Sequence, residues 1–201
     1  MPLRDILTPS PRVLFVGINP SLRSEAVGHH FAGPGNPFWR LLYAARLVPV
    51  ELPHTEDRRL ADFGLALTNL CPRATRAAAE LSRVEIERGK RTLTAKIRRL
   101  RPEVVAFVGI TIYRDFFGKA AARASRPAAV RIAEAGETAV SEGSPSTGAG
   151  AKPELIHGAR VFVLPNPSGL NASFPGFKHK LVWFERLREF IDSGPGASSR
   201  I

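Results

Sequence analysis

The sequence predicts an α/β fold, a single three-layer α/β/α domain built on a central, mainly parallel sheet. Three observations lead there. Strand-length apolar runs rich in β-branched residues recur along the chain, and segments of helical periodicity separate them. That alternation is the pattern of a parallel sheet covered on both faces. The chain has 201 residues, 44% of them apolar, which suffices for one good core and gives no sign of a second.

Val13–Ile18 reads as the first buried strand. Asn36 is placed to cap a helix with Pro37 at its first position. Phe38, Leu41, Leu42 and Ala45 follow at the spacing of one buried helix face. A second strand is expected within Phe63–Leu70, ending in Thr68-Asn69. Leu93, Ile97 and Leu100 mark a helix that stops before Pro102. Val104–Ile110 is a third strand, Thr111–Phe117 opens the next helix, and Val161–Leu164 is the last strand. Leu181, Phe184, Leu187 and Ile191 give the final helix its apolar face. The domain is expected to span 1–192. Within it, 134–152 is rich in small and polar residues without periodicity, and reads as a flexible loop insertion. Residues 193–201 read as a disordered tail.

Two segments stand at the carboxyl ends of predicted strands: Gly17-Ile18-Asn19-Pro20-Ser21 and Asn166-Pro167-Ser168-Gly169-Leu170. In an open parallel sheet that edge is where ligands bind. The sheet would thus join two loops that half the chain separates. A third segment, Gly28-His29-His30-Phe31-Ala32-Gly33-Pro34-Gly35-Asn36, follows the first closely.

The net charge is +11. Between Arg73 and Arg101 lie ten basic side chains against three acidic ones. A basic domain attracts polyanions and gains affinity by releasing phosphate counterions. A solvated helix face is the plainer account of the same span. The apolar runs are too short to cross a membrane, and Met1-Pro2-Leu3-Arg4-Asp5 does not open a signal peptide. The single cysteine, Cys71, rules out an internal disulfide and a cysteine zinc cluster. It reads as a buried or near-surface thiol in a reducing, cytoplasmic setting, nucleoid-associated if the source is bacterial. His29 and His30, without a third ligand, make a poor metal site. No metal or other cofactor is expected.

Taken together, the three loop segments resemble those of the mismatch-specific uracil/thymine-DNA glycosylases, a branch of the uracil-DNA glycosylase superfamily. The resemblance covers roughly Val13 to Leu187 without the 134–152 loop. It implies a monofunctional enzyme that hydrolyses the N-glycosidic bond of uracil, and of thymine or other damaged bases, in G·U or G·T mismatches. The base is flipped out, and the abasic product enters base excision repair. Asn19 corresponds to the residue that positions the attacking water. An amide oxygen can orient water but is far too weak a base to deprotonate it. The chemistry would therefore rest on orientation and electrostatics. The base pocket would comprise Gly17, Ile18, Pro20, Ser24, His30, Phe31 and Asn69. Phe31 would stack on the base, and backbone groups of Ile18 and Phe31 would bond its edge. Asn166, Pro167, Ser168, Gly169, Leu170 and Asn171 match the wedge and DNA-binding loop, with Leu170 filling the gap left by the flipped nucleotide. The implied partners are double-stranded DNA bearing mismatched or damaged bases and the downstream abasic-site enzymes. The protein itself would be a monomer away from membranes.

Three positions depart from the family pattern. Ser21 stands where the family usually has glycine, Ala172 where arginine often flanks the wedge, and Glu25 near the pocket has no counterpart role. Lys178 or Lys180 could supply the missing cation. Two other functions compete. A nucleotide hydrolase or transferase would need a phosphate-cradling glycine loop and metal carboxylates. Gly28–Gly35 lacks the following Lys-Ser/Thr pair, and the carboxylates are missing. A nonenzymatic mismatch-binding protein would bind the same DNA without releasing a base.

Overall fold

The computed structural model describes residues 3–118, 148–168 and 174–194. Five strands form one sheet: β1 Val13–Gly17, β2 Leu65–Asn69, β3 Val104–Val108, β4 Gly150–Ile156 and β5 Ala159–Leu164. Their order is β2-β1-β3-β5-β4. The first four in that order are parallel, and β4 is antiparallel to β5. The helices are α1 Leu22–Val27, α2 Phe38–Ala44, α3 Arg83–Leu100, α4 Ile110–Phe117 and α5 Gly176–Asp192.

The period of two along each strand sorts its side chains onto two faces. Val13, Phe15, Leu65, Leu67, Val104, Ala106 and Phe162 pack with Phe38, Leu41 and Leu42 of α2 and Phe184, Leu187 and Ile191 of α5. Leu14, Val16, Ala66, Val105, Phe107 and Val163 pack with Leu93 and Ile97 of α3 and Ile112 and Tyr113 of α4. The three-layer α/β/α architecture expected from the alternation is the one observed.

The edges of the elements differ by a residue or two from the sequence reading. α2 begins at Phe38 with Pro37 as its N-cap, one residue later than expected, and Asn36, just outside the helix, accepts the Phe38 N–H on its Oδ1 at 3.0 Å. β2 starts at Leu65 because Gly64, at φ 67°, first turns the chain out of the 3-10 segment His54–Phe63. The larger difference is β4. The expected loop over 134–152 meets the described residues at 148–152, and there Gly150–Lys152 already belong to β4. This edge strand carries Pro153 and shifts register between Lys152 and Leu155. Proline at such an irregularity is the pattern that hides an edge strand from a periodicity search. The expected tail meets the described residues at 193–194, beyond the end of α5.

Helix α3 opens with a capping box. Ser82 Oγ accepts the Glu85 N–H at 3.2 Å, and Glu85 Oε2 accepts the Ser82 N–H at 2.9 Å. Where α3 passes the end of β2, Gly89 faces the Leu70 carbonyl so closely that a Cβ would overlap it. The helix runs antiparallel to the strands. It therefore starts beside the carboxyl ends of β1 and β2 and finishes at the opposite edge, where the Leu100 carbonyl accepts the Ser10 N–H at 3.0 Å.

Candidate active site

A cavity of about 320 Å³ opens at the carboxyl edge of the sheet. The three loops singled out in the sequence converge on it: Gly17–Ser21, His30–Asn36 and Asn166–Ser168 all contribute lining residues. Ser24 and Asn69 line it too. Gly169, Leu170, Asn171 and Ala172 lie outside the described residues.

The chain around Asn19 is fixed by backbone pairing that continues past the strands. The Leu70 N–H donates to the Gly17 carbonyl and the Cys71 N–H to the Ile18 carbonyl, each at 2.8 Å. A Cβ at Gly17 would sit 2.5 Å from Asn69 Oδ1, so glycine here leaves the Asn69 side chain where it lies. Asn19 Nδ2 donates to the Arg73 carbonyl at 2.9 Å and to Thr75 Oγ at 2.7 Å. A carbonyl can only accept, so the amide nitrogen must face Arg73 and the amide oxygen must face away from it. That oxygen makes no hydrogen bond among the described residues. Thr75 Oγ passes its own hydrogen to the Ala77 carbonyl at 2.8 Å, which leaves it an acceptor toward Asn19. Thr75 is 4% exposed and lines the cavity. The sequence reading missed it, because Arg73–Arg101 attracted notice for charge alone.

Phe31 adopts φ 52°, an unusual conformation for an aromatic residue. Its ring stacks on Phe38 at 3.9 Å between centroids, 20° from parallel. Phe31 is thus half-buried, backed by the core and presented to the cavity. The preceding residues hold this turn. Asp57, 2% exposed, accepts the His30 N–H at 2.9 Å and pairs with His29 Nδ1 at 3.1 Å. Trp39 Nε1 donates to the His30 carbonyl at 3.1 Å. His30 Nε2 lies 3.0 Å from the Arg4 carbonyl and must donate to it. Burial lowers the His30 pKa, so the ring is neutral near pH 7 with its hydrogen on Nε2. The ring is spoken for by structure and forms a wall of the cavity.

Ser21 lines the cavity where the family usually has glycine. Its hydroxyl turns back on α1, accepting the Ser24 N–H at 3.1 Å and donating to Ser24 Oγ at 3.0 Å. Ser24 Oγ also accepts the Ala32 N–H, at 3.3 Å. With two donors already directed at it, the buried Ser24 hydroxyl has its own hydrogen left to give.

In the second loop, Asn166 Oδ1 accepts the Ser168 N–H at 2.9 Å, shaping a turn after β5. Lys180 of α5 is 3% exposed and donates to the Ser168 carbonyl at 3.1 Å. It holds the loop from below, so it is not the missing cation beside the wedge. Lys178 is exposed.

No carboxylate lines the cavity among the described residues, and Arg76 is the one lining side chain that carries a permanent charge. Among the described residues no cluster of three or more His, Cys, Asp or Glu could hold a metal ion. The site offers an oriented amide, hydroxyls, backbone groups and an aromatic face. That set can grip a planar polar base and place a water, and it contains no side chain able to act as a strong base.

The chain is similar over 93% of its length to a solution NMR structure from Methanosarcina acetivorans, provisionally described as a uracil DNA glycosylase. The likeness covers 97% of that chain at 16% identity with a TM-score of 0.56, which speaks for the fold. The family model described as "Uracil DNA glycosylase superfamily" matches residues 5–188. The chain therefore belongs to the uracil DNA glycosylase superfamily, whose members are hydrolytic DNA glycosylases acting on uracil.

Proposed function

We propose that this chain is a monofunctional glycosylase directed at mismatches, releasing uracil opposite guanine, with thymine and damaged bases as further substrates. The observation that carries the mechanism is the fixed amide of Asn19. Its nitrogen is bound on two sides, so its oxygen accepts a hydrogen from a water molecule without having to reorient. The water oxygen bonds to C1′ as the C1′–N1 bond breaks, the base departs as an anion, and the proton passes to solvent. A flipped uracil would lie against Phe31, with Ser24 and Asn69 at its edge. Leu170 would hold the duplex open from the second loop. No lysine lines the cavity among the described residues, which favours water over an amine as nucleophile.

The test is a labelled duplex with one G·U pair, incubated without added metal and then treated with alkali. Strand scission that requires alkali is the expected result. Binding without scission would instead make this a mismatch-binding protein. Asn19→Ala should slow single-turnover release by about a hundredfold, the cost of losing one preorganised polar group, while leaving duplex binding intact. A near-normal rate would remove Asn19 from the mechanism.

A further inference from the structure

Arg76 lines the mouth of the cavity and is exposed. Its guanidinium makes no hydrogen bond or ion pair among the described residues. Its neighbour in sequence, Arg73, is committed. Arg73 Nε donates to Glu85 Oε1 at 2.6 Å and its Nη2 to the Glu80 carbonyl at 2.8 Å, while hydrogen bonds from Arg73 and Ser82 hold the Glu85 carboxyl at about 2.

The backbone carrying Arg76 is held on both sides. Thr75 pairs with Ser21 in a parallel bridge and donates its N–H to the Pro20 carbonyl at 3.2 Å. The Ala77 N–H donates to Glu80 Oε1 at 2.8 Å. Thr75 is buried and bonded to Asn19, and Arg76, at the bend that follows it, is exposed. The result is a cation on a fixed stem, one residue from the partner of Asn19, at the rim of a cavity with no lining carboxylate among the described residues.

We propose that Arg76 binds a phosphodiester group of the strand whose nucleotide enters the cavity. The proposal rests on the glycosylase reading. A base delivered into the cavity leaves its sugar–phosphate chain across the mouth, where Arg76 stands. A guanidinium meets two phosphate oxygens at once, a geometry that selects for that anion. Arg76 therefore supplies a positioning charge from the side of the cavity opposite the wedge loop, in a chain with alanine at position 172.

The experiment measures binding of the full chain to a G·U duplex carrying non-cleavable 2′-fluoro-deoxyuridine between 50 and 300 mM salt, values on the order of those where phosphate contacts dominate. Single-turnover release from the ordinary G·U duplex is measured at saturating protein. Arg76→Gln should weaken binding about tenfold at the low-salt end and reduce the slope of log Kd against log salt by about one. Arg76→Lys should restore the slope. The saturated rate should stay within about threefold of wild type. Arg46→Gln, an exposed arginine at the opposite edge of the sheet beside Arg12, should change none of these. An unchanged slope in Arg76→Gln, or an equal change in Arg46→Gln, overturns the proposal. So does normal binding with a slowed saturated rate, which would assign Arg76 to the departing base. Failure of the wild-type chain to release uracil would overturn the glycosylase reading itself, whatever the variants bind.

Discussion

At the scale of single residues, the site fixes the direction of groups that are individually weak. Asn19 is oriented because one of its partners is a carbonyl and the other, Thr75, has already given its hydrogen away. Thr75→Val keeps the shape and deletes the hydroxyl. The Asn19 amide then keeps one tether, and single-turnover release should fall about tenfold, the worth of about one hydrogen bond. Thr75→Ser should recover most of the loss, and binding should hardly move. An unaltered rate in the valine variant would mean that the Arg73 carbonyl alone orients the amide. His30 makes a different prediction. Its folded pKa lies below the ordinary 6.5, chiefly through burial. As pH falls through about 6.5, the unfolded chain takes up a proton that the folded chain refuses, so stability is lost toward acid. Urea midpoints at about pH 7.5 and 5.5 should fall more for wild type than for His30→Gln. Parallel losses would show that His30 does not drive the acid sensitivity.

At the scale of elements, the loops are precise because rigid elements hold them. α5 reaches the second loop through Lys180, a buried ammonium bonded to the Ser168 carbonyl. Lys180→Met fills nearly the same volume and removes both the charge and the tether. Replacing a buried charge by an apolar side chain need not cost stability, so the melting temperature should change little. Release from paired G·U and A·U duplexes should fall about tenfold, if the tether is worth about one hydrogen bond to a charged group. Release from single-stranded uracil should be spared, because a single strand has no stack to hold open. Equal slowing on all three substrates would show that Lys180 serves the pocket rather than the loop. α3 is braced in a similar way, since Gly89 lets it approach Leu70 at the end of β2, from which the Asn19 loop is hung.

At the scale of the whole molecule, the basic span of the sequence is not one patch. Arg73 is paired with Glu85, and Lys90 with Glu87. Lys96 is bound by Asp5 and Thr68. Arg98, Arg99 and Arg101 ride the far end of α3, at the edge of the sheet away from the cavity. Reversing Arg98 and Arg99 to glutamate should therefore leave the salt slope of duplex binding nearly unchanged, although the net charge drops. A slope smaller by about two would show that DNA also wraps that edge.

The apolar periodicity by itself determined the layers, the parallel strands and the edge of the sheet where the loops meet, because burial acts on the pattern along each element. The strand ends also put Asn19, Asn69 and Asn166 at one edge of the sheet, and the family resemblance added Phe31 to them. The periodicity did not disclose β4, whose proline and charged residues break the alternation. Nor did it disclose Thr75, Asp57 or Lys180. Each of these acts on a residue of a distant segment: Thr75 on Asn19, Asp57 on His30, Lys180 on Ser168. No local pattern encodes such a pairing. The tertiary structure alone decided which polar group found which partner, because a buried donor or acceptor is satisfied by whatever the packed chain brings within hydrogen-bonding reach.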